Sequence, residues 1–482
     1  MRAFAARGVV VNAVFNTGLG LLSLLQSFIV AALLTRSQFG VWGVLIVSLG
    51  VLARLKVIGI ADKYIQQDEP DQQLAFQKAF TLEAMITAAA IVPLTLALPV
   101  LAVVYGHWKL IAPGVVLITV LAADALQAPF WLLYRDMRFV RQRTLQAIEP
   151  LLAFVTTIVL AIAGAGYWSL AVGVAVGAWG GAITAIVTCP YEIRWRYDPG
   201  TLRAYGSFSG PIFLTTASSI VMANATMIAT NTHLGLAGAG AVALAGTITA
   251  FTTRLDDVLG STLYPAICAI QTRADLLRES FVKANRLALM WAMPFGVSLA
   301  LFAPDLVKFA IGEKWRPAVG LLQITGVVAA LNHIGFNWDD YFKARSQTRP
   351  LGVASVASTV VLLAVGLPLL FTHGLTGLAI GIAASASCSV ILRWWYLSRL
   401  FNGLGFVPHA LRAILPTVPA VLAVLLMRAV ESGSRAGEVA LAEVLVYALV
   451  TAGATWSLEG PLLSEVLGYL RRTSRRAVAT SS

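Results

Sequence analysis

The stretch from Gly166 to Ala175, GYWSLAVGVA, returns 208 residues later as Gly374 to Ala383, GLTGLAIGIA. Glycine, leucine and alanine recur at matching places, but small residues are common wherever membrane helices pack, so this match alone proves little. With the offset reduced by one residue, Trp108 falls on Trp315, Lys109 on Arg316, Trp131 on Trp338, Tyr134 on Tyr341 and Arg138 on Arg345. Trp, Tyr and Arg collect at membrane interfaces in general, yet five such matches in one register are hard to obtain by chance. The two offsets differ by one residue and therefore describe one internal repeat.

The repeat is about six helices long. An even number of crossings returns the chain to the side where it began, so both copies have the same orientation and are related by an axis along the membrane normal. The fold class expected is an all-α integral membrane protein of 14 transmembrane helices. It comprises two pseudo-symmetric six-helix lobes, 1–200 and 201–404, and an extra helix pair with a basic tail, 405–482. Parallel repeats of this kind place a substrate path between lobes, an expectation drawn from architecture by analogy.

Composition supports a bilayer as the main solvent. Of 482 residues 58% are hydrophobic and only 12% charged, about half the charged share of an ordinary soluble domain. A span needs about 20 apolar residues, and such runs follow one another with short polar connections. They cover roughly 9–34, 39–61, 79–104, 111–134, 146–165, 168–189, 207–231, 238–264, 287–311, 317–338, 351–371, 375–397, 409–428 and 438–458. The run after the basic opening Met1 to Arg7 exceeds a signal-peptide core and shows no small-residue cleavage site, so it reads as a retained first helix.

Orientation follows from Lys and Arg. With the N-terminus inside, only Arg36, Lys109, Lys308, Lys314, Arg316, Arg428 and Arg435 lie on the outer side, leaving 28 of the 35 basic residues inside. The eighth span has the weakest hydropathy because it holds Arg254, Asp256 and Asp257. Deleting it would put the basic clusters that follow on the wrong side, so the topology retains it. The net charge of +12 belongs to these loop clusters, without a basic amphipathic face or RNA-binding motif, so no nucleic-acid partner is expected.

Other classes are excluded by what the sequence lacks. Cys189, Cys268 and Cys388 lie within or at the ends of apolar runs and make neither a disulfide framework nor a metal site, and no cofactor is expected. A phosphate loop of the Gly-x-x-x-x-Gly-Lys-(Ser/Thr) type is missing. Gly206 to Gly210 has Phe208 where a nucleophile elbow needs serine. Outward loops are short, whereas a membrane glycosyltransferase or polymerase is expected to carry catalytic residues on a large one.

Charged and polar residues inside the spans are the site candidates, since intramembrane charge is costly. Arg54 and Arg254 lie on the second and eighth spans, which are repeat counterparts, and two such guanidinium groups suit a diphosphate. The competing reading has Arg54 reaching the headgroups or pairing with Glu83, and Arg254 pairing with Asp257. Asn12, Asn16 and Gln26 on the first span, with Asn224 and Asn231 on the seventh, are candidate sugar or cavity contacts, or else interhelical hydrogen bonds. Asp124, Asp256 and Asp257 are candidates for ion coupling. His333 and Asn337 share a helix face, followed by Asp339 and Asp340, and a lone buried histidine of this kind reads as structural.

Three stretches carry a family resemblance: Leu33 to Trp42 (LLTRSQFGVW), Gly164 to Gly173 (GAGYWSLAVG), and Val258 to Gln271 (VLGSTLYPAICAIQ) with a later Pro294 and Gly312-Glu313-Lys314-Trp315. In order and spacing they resemble the polysaccharide-exporter and oligosaccharide-flippase family, whose superfamily also holds multidrug and lipid II transporters. The resemblance covers most of residues 10 to 400. It implies a bacterial inner-membrane protein with a cationic inter-lobe cavity for an undecaprenyl-diphosphate-linked oligosaccharide, working among membrane lipids and polysaccharide assembly machinery. Arg54 and Arg254 look similar in placement to the cavity arginines of lipid II flippases. Multidrug members often use an acidic residue on the first span, whereas residues 9–34 contain no Asp or Glu, which favours an anionic substrate. A multidrug or other amphiphile exporter is the alternative.

Overall fold

The computed structural model describes residues 2–53, 60–66, 69–136, 138–200, 213–253, 256, 267, 270, 273–345, 347, 349–401, 406–431 and 435–479. Most of these are helical, with no strand among them. The helices are α1 Arg2–Leu33, α2 Arg36–Ala53, α3 Ile60–Gln66, α4 Gln72–Tyr105, α5 Ile111–Leu126, α6 Phe130–Arg135, α7 Phe139–Gln146, α8 Ile148–Ile162 and α9 Tyr167–Val187. They continue as α10 Phe213–Thr249, α11 Ala274–Asp305, α12 Val319–Leu331, α13 Trp338–Ala344, α14 Arg349–Val361, α15 Leu367–Leu400, α16 Phe406–Ile414, α17 Thr417–Val430 and α18 Gly437–Ala479. The chain divides into two compact units, residues 10–244 and residues 245–482 with 1–9.

Among the described residues, eight helical segments are long and apolar enough to span a bilayer, or nine if Pro408–Ile414 and Thr417–Val430, bent by 41°, form one. One of the eight, Arg349–Leu400, has 52 residues. At about 1.5 Å per residue it would far exceed a hydrocarbon core of about 30 Å, so it must double back. It does so at Gly374 (φ 62°, ψ −143°), after which Gly377 packs on Leu369 and Gly381 on Gly366. Gly166, its counterpart in the repeat, has nearly the same backbone (φ 59°, ψ −134°) and starts α9 antiparallel to α8. Gly173 there meets Thr157, as Gly381 meets Gly366.

The stretch from Leu33 to Trp42 is explained by local structure. Thr35 and Gln38 form a reciprocal capping box at the start of α2: Gln38 N donates to Thr35 Oγ1 at 3.3 Å, and Thr35 N to Gln38 Oε1 at 2.9 Å. One turn on, α2 crosses α10 so closely that a Cβ on Gly40 would lie 1.9 Å from the Leu236 carbonyl oxygen. Gly240 faces the Arg36 carbonyl in the same way, a small-residue contact of the kind that lets membrane helices approach.

Each unit has its own core. In residues 10–244, Val41, Leu45, Leu98, Leu117 and Met227 draw α2, α4, α5 and α10 together. In residues 245–482, Phe281, Leu289, Trp338, Tyr341, Leu351 and Leu397 join α11, α13, α14 and α15. The reverse faces are greasy as well: Ile162 is 71% exposed, Leu449 73% and Val430 82%. Exposed apolar surface on that scale belongs against lipid tails.

Proline supplies one instructive detail. Pro304 has no N–H to give the carbonyl of Ala300 one turn earlier in α11. Gln323 of α12 donates its amide to that oxygen at 2.9 Å, so a defect in one helix fastens its neighbour.

Candidate functional site

The polar interior of residues 245–482 is built where α12 stops. Beyond Leu331 the run 332–337 is not α-helical: His333 N donates to Ala330 O at 3.1 Å and Phe336 N to His333 O at 2.9 Å. Gly335 (φ 83°) and Asn337 (φ 61°) are left-handed, and Asn337 is the one non-glycine residue with positive φ among those described. Such a break frees carbonyl groups, each costing several kcal/mol if left bare in a membrane, on the order set by burial of a peptide group.

Side chains satisfy them. His333 Nδ1 lies 2.8 Å from Ala329 O, and Arg393 Nη1 of α15 donates to Asn332 O at 2.8 Å. Asn285 Nδ2 of α11 donates to His333 O at 2.6 Å. The other ring nitrogen, His333 Nε2, is 3.1 Å from Asp256 Oδ2. The His333 side chain is 4% exposed and that of Asp256 27%.

Asp256, His333 and Arg393 line a cavity of about 570 Å³ together with Thr253, Asn337, Asp339, Asp340 and Lys343. Lys343 Nζ is 3.8 Å from Asp340 Oδ1, and the Arg393 guanidinium sits 5.9 Å from the centre of the Trp338 ring. Two buried polar atoms of lining residues, Asp256 Oδ1 and Arg393 Nε, have no hydrogen-bond partner among the described residues. No group of three or more metal-ligating side chains occurs among the described residues.

The unit 10–244 has a related break. Its helix α5 ends at Leu126, and residues 127–129 turn before α6. Gln127 Nε2 donates to Glu149 Oε2 of α8 at 2.8 Å. Asp124 is exposed on α5.

The other sequence candidates are dispersed. Asn224 donates to its own helix at Ile220 O (3.1 Å), and Asn231, buried, donates to Tyr105 O at 3.0 Å and ties α10 to the end of α4. Gln26 is half-buried on α1. The side chains of Asn12 and Asn16 on α1 lie outside the described part, as do residues Arg54, Arg254 and Asp257 altogether. Asp256 is thus the sequence candidate that joins a built polar cluster, and its partner is the histidine read as structural. Neither their 77-residue separation nor any spacing pattern announces that contact.

Residues 29–320 match the model of a family described as polysaccharide biosynthesis protein. The lipopolysaccharide biosynthesis protein WzxC of Escherichia coli (strain K12) is 24% identical over 326 residues, 65% of this chain and 64% of that protein, so the chain spans just under two thirds of it. An uncharacterized membrane protein in the cps region of Klebsiella pneumoniae is 23% identical over 179 residues, 36% of each chain. Among solved structures, the lipid II flippase MurJ in an inward closed conformation superposes with a TM-score of 0.68 at 11% identity, covering 94% of this chain and 100% of its own. An inward-facing MATE family transporter of the MOP superfamily gives 0.67 at 14% identity, over 81% of this chain and 98% of that one. These structural likenesses establish the fold. The chain therefore belongs to the polysaccharide biosynthesis protein family, as a multi-span membrane protein on the fold shared by MurJ and the MATE transporters.

Proposed function

We propose that this protein is a flippase that carries an undecaprenyl-diphosphate-linked oligosaccharide from the inner to the outer leaflet of the bacterial cytoplasmic membrane. The observation that carries the reading is the family match over residues 29–320, coupled with a transporter fold that spans 94% of the chain. The headgroup enters between the six-helix lobes 1–200 and 201–404 of a fourteen-span protein while the polyprenyl tail stays in lipid. Rocking of the lobes then presents the headgroup outside, without covalent chemistry. Both termini face the cytoplasm, in keeping with the inward bias of Lys and Arg.

Arg54 and Arg254 hold the diphosphate in this reading, and Asn12, Asn16, Gln26, Asn224 and Asn231 meet the sugars. Asp124, Asp256 and Asp257 are the acids available for ion coupling. Membrane lipid surrounds the protein, and the polysaccharide assembly machinery receives its product.

Depletion in a polysaccharide-producing cell tests the proposal. Loss of surface glycan with lipid-linked intermediates building up on the inner leaflet is the expected outcome. Intact glycan with drug hypersensitivity would point instead to an amphiphile exporter. Arg54→Ala and Arg254→Ala, expressed at wild-type levels, should each abolish rescue; full rescue by both would remove the paired arginines from the mechanism.

A further inference from the structure

We infer that Asp256 and His333 form a proton-binding site within residues 245–482, and that its loading drives the lipid export proposed above, on which the coupling half of the inference rests. The carbonyl of Ala329 can only accept a hydrogen bond, so the 2.8 Å contact requires the proton of His333 to sit on Nδ1. That carbonyl is available because the amide of His333 turns to Ala330 at the helix break.

A neutral imidazole protonated at Nδ1 presents a lone pair at Nε2. Here Nε2 faces Asp256 Oδ2 at 3.1 Å, and a carboxylate oxygen also offers only lone pairs. The contact therefore needs one more proton, held either as imidazolium beside carboxylate or as imidazole beside carboxylic acid. Either form of the pair is neutral, and losing the proton leaves one negative charge on a cluster whose histidine is 4% exposed.

The surroundings leave that charge to the histidine. Asp256 Oδ1 is buried, and among the described residues no second donor reaches it to steady a bare carboxylate. Among the described residues, Arg393 of α15 spends Nη1 on Asn332 O, and Lys343 of α13 lies by Asp340. Asp339 and Asp340 add negative charge to the same cavity, the chain before Asp256 lines it with Thr249, Thr252 and Thr253, and the neutral Asn285 of α11 bonds the His333 carbonyl. The neighbours Arg254 and Asp257 lie outside the described residues. A polar cavity of about 570 Å³ has room for the water that would bring the proton.

The position suits coupling. His333 stands in the first turn of the irregular run 332–337, whose left-handed Gly335 and Asn337 already interrupt the helix. A charge gained or lost there acts on the backbone where the helix is already broken, and a change in its hydrogen bonds is the conformational step proposed to follow loading. The proposed step is balanced: a proton from one side joins the deprotonated pair, and the same proton leaves to the other side as one lipid crosses in the opposite sense.

Two measurements on the full-length protein test this. In ¹⁵N-histidine spectra of the purified chain, with five histidines and His333→Gln to assign the signal, Nδ1 should stay protonated while the Nε2 signal shows a protonation transition as pH is varied. Asp256→Asn should displace that transition. A bare Nδ1, or an Nε2 signal indifferent to pH, overturns the site.

In liposomes loaded with lipid-linked oligosaccharide from a producing strain, one proton per lipid predicts a leaflet ratio that changes about tenfold per imposed pH unit. His333→Gln and Asp256→Asn should lose that response. A wild-type ratio indifferent to the gradient overturns the coupling, even if His333 titrates. Wild-type protein that moves no lipid under any gradient overturns the cargo and the coupling together, and the spectra then decide the proton site. Neither wild-type measurement depends on a variant folding.

Discussion

Gly166 and Gly374 carry the repeat at the scale of single residues. Both have positive φ with ψ near −140°, a region almost closed to side chains, so Gly166→Ala and Gly374→Ala should each cost about 1–3 kcal/mol. Melting of the purified protein by tryptophan fluorescence reads this, with Gly453→Ala as control. Gly453 lies within α18 with nothing within 4 Å of an added Cβ, so alanine there should be neutral or slightly stabilising. Equal melting of all three variants would contradict the assignment of strain. The two glycines were legible in the sequence because they share a register. His333 was not legible in the same way, because its meaning depends on a carbonyl freed by a helix break, and hydropathy does not register such a break.

At the scale of elements, the last two helices are fastened to α11 by buried charge. Glu443 of α18, its side chain fully buried, accepts from Arg428 Nε at 3.0 Å and from Arg435 Nη2 at 2.7 Å. Both arginines also meet Asp305 at the end of α11, and the hydrogen bonds that Arg435 donates to Asp305 and Glu443 hold it above the usual guanidinium range. Glu459, equally buried, pairs with Arg286, while Tyr447 Oη donates to Pro294 O at 2.8 Å between them. Removing one partner of such a network strands the others, so Glu443→Ala should cost about 3–5 kcal/mol. Glu431→Ala, which leaves Arg435 two other carboxylates, should cost less. Protease resistance of the α17 and α18 segment together with melting would check this, and equal effects would contradict it. The sequence placed Arg428 and Arg435 as ordinary outer-loop charges. Their partners lie more than 120 residues away on α11 or within α18, and no local pattern joins them.

A crossing between α2 and α10 gives a second test at this scale. Gly40→Leu would drive a side chain into the Leu236 carbonyl and separate the helices, a loss of about 1–3 kcal/mol or more from overpacking. Lowered melting and reduced yield in the membrane are expected, and a wild-type profile would show that the contact is loose. Here the sequence was informative in an unplanned way, since LLTRSQFGVW served as a family resemblance while its physical content is a cap and a close helix crossing.

For the whole molecule, the all-helical membrane fold and the family were readable, because bilayer thickness, interface residues and helix period leave marks along the chain; of the fourteen spans expected, eight or nine stand as long apolar helices among the described residues. The polar cavity was only half readable: Asp256 stood out as charge in a span, whereas the break that builds its surroundings looks apolar in sequence. The energetics of the proposed transport are adequate. A diphosphate with two charges gains roughly 4–5 kcal/mol per 100 mV on moving outward across an inside-negative membrane, at about 2.3 kcal/mol per charge, and a proton gradient would add to it. The most direct test reconstitutes the purified protein in liposomes with undecaprenyl-diphosphate-linked oligosaccharide on the inner leaflet and follows its appearance outside with a membrane-impermeant lectin. Protein-dependent appearance that rises with an inside-negative potential and vanishes in the Arg54→Ala, Arg254→Ala double variant is expected; lipid that stays inside at every potential would rule out the proposed flippase.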